Sequence, residues 1–310
     1  MRIAVTGAGG RLGRAIVGAL EAGGRHEPIP WTRADFDLDA PAEVGARLEA
    51  IRPDLVIHAA AWTDVDGCAL DPALALRRNG EATGALATAA AGRGAGLLVV
   101  STNEVFDGRG APRPYEPGDA PSPGNAYGAS KLAGERAAAQ AYAGEGGGAR
   151  GARGTRGRPG AGLGIVRTAW LFGPGAPDFP VKIARAARRA AAAREPLRIV
   201  ADEIGTPTYV EDLAGAIVQL VDDGTFAGVR HLVNAGTASR AAWGRDVLEC
   251  LGIEVEVDEV GLADFPRSSR PPAWGVLAPS PLPGGVPLRH WREAMAAYAP
   301  ALRQSVTITP

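Results

Sequence analysis

Tyr127 and Lys131 stand four residues apart in Tyr127-Gly128-Ala129-Ser130-Lys131. A phenol beside an ammonium gives up its proton more readily, because the positive charge favours phenolate. Such a pair makes a general acid/base from a group whose unperturbed pKa is about 10. On a helix, the i,i+4 spacing puts both side chains on one face. The chain carries thirty-one arginines and only two lysines, Lys131 and Lys182. Arginine serves a surface ion pair equally well, but it cannot replace a compact ammonium on a flexible stem. With so few tyrosines and lysines in the chain, chance places roughly 0.03 Tyr-x-x-x-Lys pairs in it.

A second constellation lies near residue 7. Gly7-Ala8-Gly9-Gly10-Arg11-Leu12-Gly13 follows a short apolar run, 2–6, and opens an amphipathic stretch from Leu12 to Glu21. Glycines at 7, 10 and 13 let a backbone approach a pyrophosphate closely, and a helix N-terminus favours its charge. The strand–turn–helix context makes this a dinucleotide-binding signature centred on Gly7, Gly10, Arg11, Leu12 and Gly13. The end of the next strand distinguishes the two nicotinamide dinucleotides. A carboxylate there suits a ribose hydroxyl, and an arginine suits a 2′-phosphate. Arg33, with Asp37 and Leu38 just beyond, points to NADPH, with NADH as the alternative.

The elements that must position these groups alternate along the chain. Apolar runs at 26–31, 55–60, 96–101 and 163–167 read as further strands. Helices are expected at 41–51, 72–92 and 125–143, the second capped by Asp71 with Pro72 at its first position. Strands alternating with helices predict an α/β fold, a doubly wound parallel sheet of Rossmann type with a smaller C-terminal substrate lobe. The expected division is a dinucleotide-binding domain at 1–168, with 208–235 returning to it, and a substrate lobe at 169–207 and 236–310. Residues 144–162, almost entirely Gly, Ala and Arg, read as a disordered insertion. Later helices are expected at 181–194, 211–222 and 240–251, and a strand at 229–234. The proline-rich stretch 265–287 is expected to be irregular.

Composition excludes several classes. A net charge of −1 gives no basic excess for nucleic acid. Two cysteines, Cys68 and Cys250, are too few for a disulfide framework and fit a reducing compartment. No apolar run reaches the ~18 residues of a membrane span, and the first residues lack a signal-peptide core. A cytoplasmic protein is expected.

With the glycine loop and the Tyr-x-x-x-Lys pair in this order, the chain resembles the extended short-chain dehydrogenase/reductase superfamily. Within it, the chain is similar to the dTDP-4-dehydrorhamnose reductase family. The resemblance is carried by Ala59-Ala60-Ala61-Trp62-Thr63-Asp64-Val65-Asp66, Ser101-Thr102-Asn103-Glu104-Val105-Phe106-Asp107-Gly108 and Tyr127 to Glu135. It continues in Arg167 to Gly173, Gly205-Thr206-Pro207-Thr208 and Arg270-Pro271, and so spans nearly the whole chain.

The resemblance implies that Thr102, Tyr127 and Lys131 are catalytic, and that NADPH-dependent reduction of a 4-keto sugar nucleotide is the activity. Tyr127 would be the proton donor to the C4 oxygen. Lys131 would lower the Tyr127 pKa and bond the nicotinamide ribose, and Thr102 would orient the carbonyl. Ala60, Ala61 and Thr63 would line the cofactor, beside Tyr127 and Lys131. Val65, Thr102, Asn103, Glu104, Tyr127, Trp170 and Arg270 would face the sugar nucleotide, with Trp170 offering an apolar face and Arg270 a guanidinium for the diphosphate. Asn79 matches a family asparagine, and it could equally be a helix-interior polar group. His58 reads as a satisfied core histidine.

The chain departs from the family at Asn103-Glu104, where Asp-Tyr is expected. A carboxylate there repels an anionic substrate. Ala15 stands where some relatives hold a Mg²⁺-binding glutamate, so no metal is expected, and the resemblance leaves a homodimer open. Two other functions use the same fold: an epimerase or dehydratase with bound NAD, and a non-catalytic regulatory subunit.

Overall fold

The computed structural model describes residues 1–109, 113–143 and 160–307. The chain opens with β1 (Arg2–Thr6), α1 (Arg11–Gly23), β2 (Glu27–Trp31), α2 (Val44–Ile51) and β3 (Leu55–His58). Then come α3 (Val65–Leu70), α4 (Pro72–Ala75), a π-helical segment (Leu76–Glu81) and α5 (Ala82–Ala91). β4 (Gly96–Thr102), α6 (Ala126–Ala143) and β5 (Leu163–Thr168) complete the first half.

The second half has shorter pieces: β6 (Leu171–Phe172), α7 (Phe179–Ala193), β7 (Leu197–Val200), β8 (Ile204–Gly205) and β9 (Thr208–Tyr209). α8 (Val210–Asp222), β10 (Gly228–His231), β11 (Asn234–Ala235), β12 (Ala238–Ser239) and α9 (Arg240–Leu251) follow. β13 (Val257–Val260), β14 (Leu288–His290) and α10 (Trp291–Thr307) end it.

Six strands form one parallel sheet in the order β10-β5-β4-β3-β1-β2. Alternate strand residues enter different cores, as the period of two requires. Ile3, Val5 and Leu98 pack with Ile16 and Leu20 of α1 and Ile217 and Leu220 of α8. Ala4, Val56, Leu97 and Val99 pack with Leu86 and Ala90 of α5 and with Ala138 and Tyr142 of α6. The sheet is therefore covered on both faces, which is why its strands read as apolar runs. Each fully buried Leu or Ile stabilises the fold by roughly 1.5–3 kcal/mol. The chain turns from β2 back across β1 to β3. This reversal makes the C-terminal ends of β1 and β3 a topological switch point, where open α/β sheets bind ligands.

A separate aromatic core joins Phe172, Tyr209, Trp243, Trp291 and Tyr298. The sheet's last strand, β10, and the helix α8 that packs on α1 come from late in the chain. Among the described residues, no helix is long and apolar enough to cross a membrane.

Local differences from the sequence reading have physical causes. The stretch expected as one helix over 72–92 is interrupted by the π segment, where an extra residue per turn carries Asn79 inward. The strand expected over 229–234 is split. Gly228–His231 joins the main sheet, whereas Asn234–Ala235 pairs with β14. The insertion expected at 144–162 lies, up to residue 159, outside the described residues. Residues 265–287 hold no helix or strand, and they touch the body through single bridges such as Ile204 with Trp274 and Tyr115 with Leu277.

Candidate active site

A cavity of about 730 Å³ opens at the switch point, within the usual range for ligand sites of ~300–1,000 Å³. Its first wall is the glycine loop. Gly7 adopts φ +67°, in the left-handed region open to glycine. A Cβ on Gly7 would stand 2.8 Å from the Ala60 nitrogen, and one on Gly13 would stand 2.1 Å from the Gly7 oxygen. Gly10 N donates to Gly7 O at 2.8 Å and closes the turn. Gly10 caps α1 without a side chain, and no acid stands in the helix's first turn. The uncapped N–H groups and the close approach suit a pyrophosphate.

The neighbouring loop, 59–63, is fixed from beneath. His58 Nδ1 bonds Thr6 Oγ1 at 2.8 Å and its Nε2 bonds Thr83 Oγ1 at 3.1 Å. Burial, and then the charge of Lys131, push the imidazole down to about 3, so it stays neutral. His58 is a satisfied core group. Asn79 fastens the same loop: its Oδ1 accepts from Trp62 N at 2.8 Å, and its Nδ2 donates to Trp62 O at 3.0 Å and to Ser130 Oγ at 3.1 Å. Ser130 Oγ in turn donates to Tyr127 O at 2.8 Å. Asn79 thus ties the loop carrying Ala60, Ala61 and Thr63 to the helix carrying Tyr127 and Lys131.

Thr102, at the end of β4, and Tyr127 and Lys131, on α6, line the cavity together. Asn125 starts α6 by accepting from Gly128 N at 2.8 Å, while its Nδ2 donates to Glu104 Oε2 at 2.7 Å. Gly128 lets this helix press on the 102–104 turn, since a Cβ there would lie 1.9 Å from Glu104 O.

Burial pushes the Tyr127 phenol above its ordinary value, and the charges of Glu104 and then Cys68 add to the rise; a hydrogen bond with Thr102 opposes them. The net shift is thus upward, opposite to what an ammonium alone would give, because desolvation and a carboxylate dominate it. Burial likewise brings Lys131 down to about 8, against the pull of Glu135 one turn on. Glu135 itself is held by Arg167 at 3.1 and 2.8 Å and by Ser101 Oγ at 2.5 Å.

The far end of the β2 loop supplies charge. Arg33 pairs with Asp37 at 3.4 Å and Asp39 at 3.0 Å. Arg78, which the sequence reading missed, grips Asp39 at 2.6 and 2.7 Å and lies 5.2 Å over the Trp62 ring. The Arg78 hydrogen bond holds the Asp39 carboxyl below its usual range. Arg33, Asp37, Leu38, Asp39 and Arg78 all line the cavity, as do Arg11 and Leu12. Arg11 also donates to Gly173 O at 3.1 Å, joining the glycine loop to the turn after β6.

Val65, Asn103, Glu104 and Trp170 line the opposite end. Asn103 is buried and donates to Gly275 O at 3.1 Å. Burial raises the Glu104 carboxyl above its ordinary value, against the Asn125 hydrogen bond. Trp170 does not present an open indole face. Gly205 abuts the ring, so that a Cβ there would be 2.4 Å from Trp170 Cε2, and the Arg240 guanidinium lies 3.5 Å over it.

Arg270 does not join the cavity lining; it is exposed. Its segment is fastened elsewhere. Asp66 binds Ser269 through N at 2.8 Å and Oγ at 2.6 Å, and Asn125 Nδ2 donates to Arg270 O at 3.1 Å. Arg240 lines the cavity instead, and its only sequence signal was its place just after the helix-capping Ser239.

Comparisons agree with this arrangement. Residues 1–304 match the family model described as RmlD substrate binding domain. A dTDP-4-dehydrorhamnose reductase of Mycobacterium tuberculosis is 38% identical over 99% of this chain and 95% of its own. The crystal structure of a dTDP-4-dehydrorhamnose reductase from Clostridium acetobutylicum superposes with a TM-score of 0.84 at 30% identity, over 98% of this chain and 100% of that one. A Bacillus anthracis dTDP-4-dehydrorhamnose reductase, solved in complex with NADP, gives 0.82 at 28% identity, over 96% of this chain and 98% of that one. The chain belongs to the dTDP-4-dehydrorhamnose reductase family of the extended short-chain dehydrogenase/reductases.

Proposed function

We propose that the protein reduces the C4 keto group of a dTDP-4-keto-6-deoxy sugar, dTDP-4-dehydrorhamnose, with NADPH as cofactor and Tyr127 as general acid. The observation that carries this is the convergence of Thr102, Tyr127 and Lys131 with the glycine loop on one cavity. The family of reductases to which the chain belongs supports the reaction class.

The residues present fit the cofactor. The turn keeps its close approach because Gly7 and Gly13 have no room for a Cβ, and the N-terminus of α1 offers uncapped donors. Arg33 and Arg78 would meet a 2′-phosphate, and Ala60, Ala61 and Thr63 would flank the dinucleotide beside Lys131. When bound, NADPH supplies the hydride.

Tyr127 is kept in its protonated form, as a donor must be before transfer, and the adjacent ammonium of Lys131 would ease the release of that proton as the carbonyl oxygen gains charge. Thr102 hydrogen-bonds the phenol and would orient the same oxygen. Lys131 would supply positive charge where that oxygen and the phenolate develop negative charge. We assign residues 169–207 and 236–310 to a substrate lobe, which adds Ala169, Trp170, Leu171, Ala176 and Arg240 to the cavity wall.

Incubation with dTDP-4-dehydrorhamnose and NADPH deuterated at the transferable position tests the reading. Deuterium should appear on C4 of a dTDP-6-deoxyhexose product. No deuterium transfer to any dTDP- or UDP-4-keto sugar would overturn it.

A further inference from the structure

Arg240 lines the cavity but lies outside the sequence blocks that carry the family resemblance. Arg240 is the first residue of α9, which Ser239 caps through Ala242 N at 2.9 Å. Its Nε and Nη2 both reach Oε1 of Glu203, at 3.1 and 2.8 Å. Glu203 is buried, at 4% exposure, whereas the Arg240 side chain keeps 21%. The guanidinium carbon lies over Trp170, 3.5 Å from the ring centroid, with Trp243 stacked parallel to that indole at 5.8 Å. An ion pair on one edge and a ring beneath fix the fork's orientation, and Nη1 has no hydrogen-bond partner among the described residues.

The cavity's other guanidiniums are committed elsewhere. Arg11 bonds Gly173 O, and Arg33 and Arg78 hold Asp39 at the cofactor end. Two carboxylates, Glu104 and Glu203, stand at the substrate end and act on one another, and Arg240 acts on Glu104 in the opposite sense. Arg267 acts on Glu104 in the same sense but does not line the cavity, so Arg240 is the lining cation that offsets the repulsion of an anion there.

The geometry points to Arg240, held by Glu203 and stacked on Trp170, as the residue that receives the diphosphate of the sugar nucleotide and so sets the preference for a nucleoside diphosphate. A planar fork with a pre-set orientation binds phosphate oxygens at low entropic cost. This rests on the sugar-nucleotide reading above and assigns its anionic subsite.

The test is binding to the NADPH-saturated protein, with dTDP as the charged probe and thymidine as the uncharged one, in wild type, Arg240→Ala and Arg240→Lys. Loss of a charge-assisted phosphate contact should weaken dTDP on the order of 10- to 100-fold in Arg240→Ala and leave thymidine and NADPH within about twofold. Arg240→Lys, which keeps the charge but not the stacked fork, should fall between, and it decides alone if the alanine variant does not fold. Unchanged dTDP affinity, or equal losses for dTDP and thymidine, would overturn the assignment. A wild type that reduces no 4-keto sugar nucleotide, yet loses dTDP selectively on Arg240→Ala, would reject the reductase reading and leave the subsite standing.

Discussion

Lys131 is kept in the interior at a cost. Its ammonium is buried and pushed down to about 8 from an ordinary value near 10.5, chiefly by desolvation. Between those two values the unfolded chain holds a proton that the folded protein sheds, so stability rises with pH through that window. Below about pH 8 the folded state carries the full penalty. Lys131→Met, similar in volume, should therefore stabilise the fold by about 2 kcal/mol at neutral pH. The gain should shrink toward zero as urea midpoints are measured at rising pH between those values, while turnover is lost. On the proposed reading, that cost is tolerated because the charge serves the chemistry. The Tyr-x-x-x-Lys spacing made this pair legible in the sequence, but the direction of the Tyr127 shift was not. That direction is set first by burial and then by Glu104, which α6 meets only because Gly128 permits contact with the 102–104 turn.

At the scale of elements, the site is assembled by two devices, of which one was readable. The glycine loop was, because strand, turn and helix follow each other locally and the glycines have a local reason. Gly13→Ala would place a methyl 2.1 Å from Gly7 O, so the turn must open. Titration of NADPH by protein fluorescence should show at least ~10-fold weaker binding, with the fold retained. The π segment was not readable. Its extra residue is stabilised by Asn79 reaching Trp62 and Ser130, partners 17 and 51 residues away in sequence. Asn79→Ala strands the Trp62 N–H and leaves its C=O only the Cys68 thiol as donor, at about 1–3 kcal/mol. It should lower the thermal midpoint and raise KM for NADPH more than it changes KM for the sugar. Arg240 and Arg78 were unreadable for the same reason: an arginine among thirty-one carries no signal until the fold brings it to Trp170 or Asp39.

For the whole molecule, the proposed reading gives the cofactor side to the parallel sheet and the substrate side to the separate aromatic core. Trp243 is fully buried, stacks on Trp170 and meets Phe172 edge-on at 5.6 Å. Trp243→Ala should cost about 3–5 kcal/mol. It should also raise KM for the keto sugar through the loosened Trp170 and Arg240, with NADPH affinity nearly unchanged; a uniform loss of both affinities would show that the two sides are not separable. The alternation of strands and helices made the sheet legible, including its buried strands. The later two-residue strands were less so, because pairs such as β6 with β9 are too short to carry a period.

The central claim is that Tyr127 gives its proton to a C4 carbonyl oxygen while Lys131 and Thr102 support it. The most direct measurement is single-turnover oxidation of enzyme-bound NADPH by dTDP-4-dehydrorhamnose, in wild type and Tyr127→Phe. Wild type should oxidise the cofactor with formation of dTDP-rhamnose. The variant should bind NADPH within about twofold and react at least ~100-fold more slowly. Equal rates in the two proteins, or no substrate-dependent oxidation in wild type, would contradict the account.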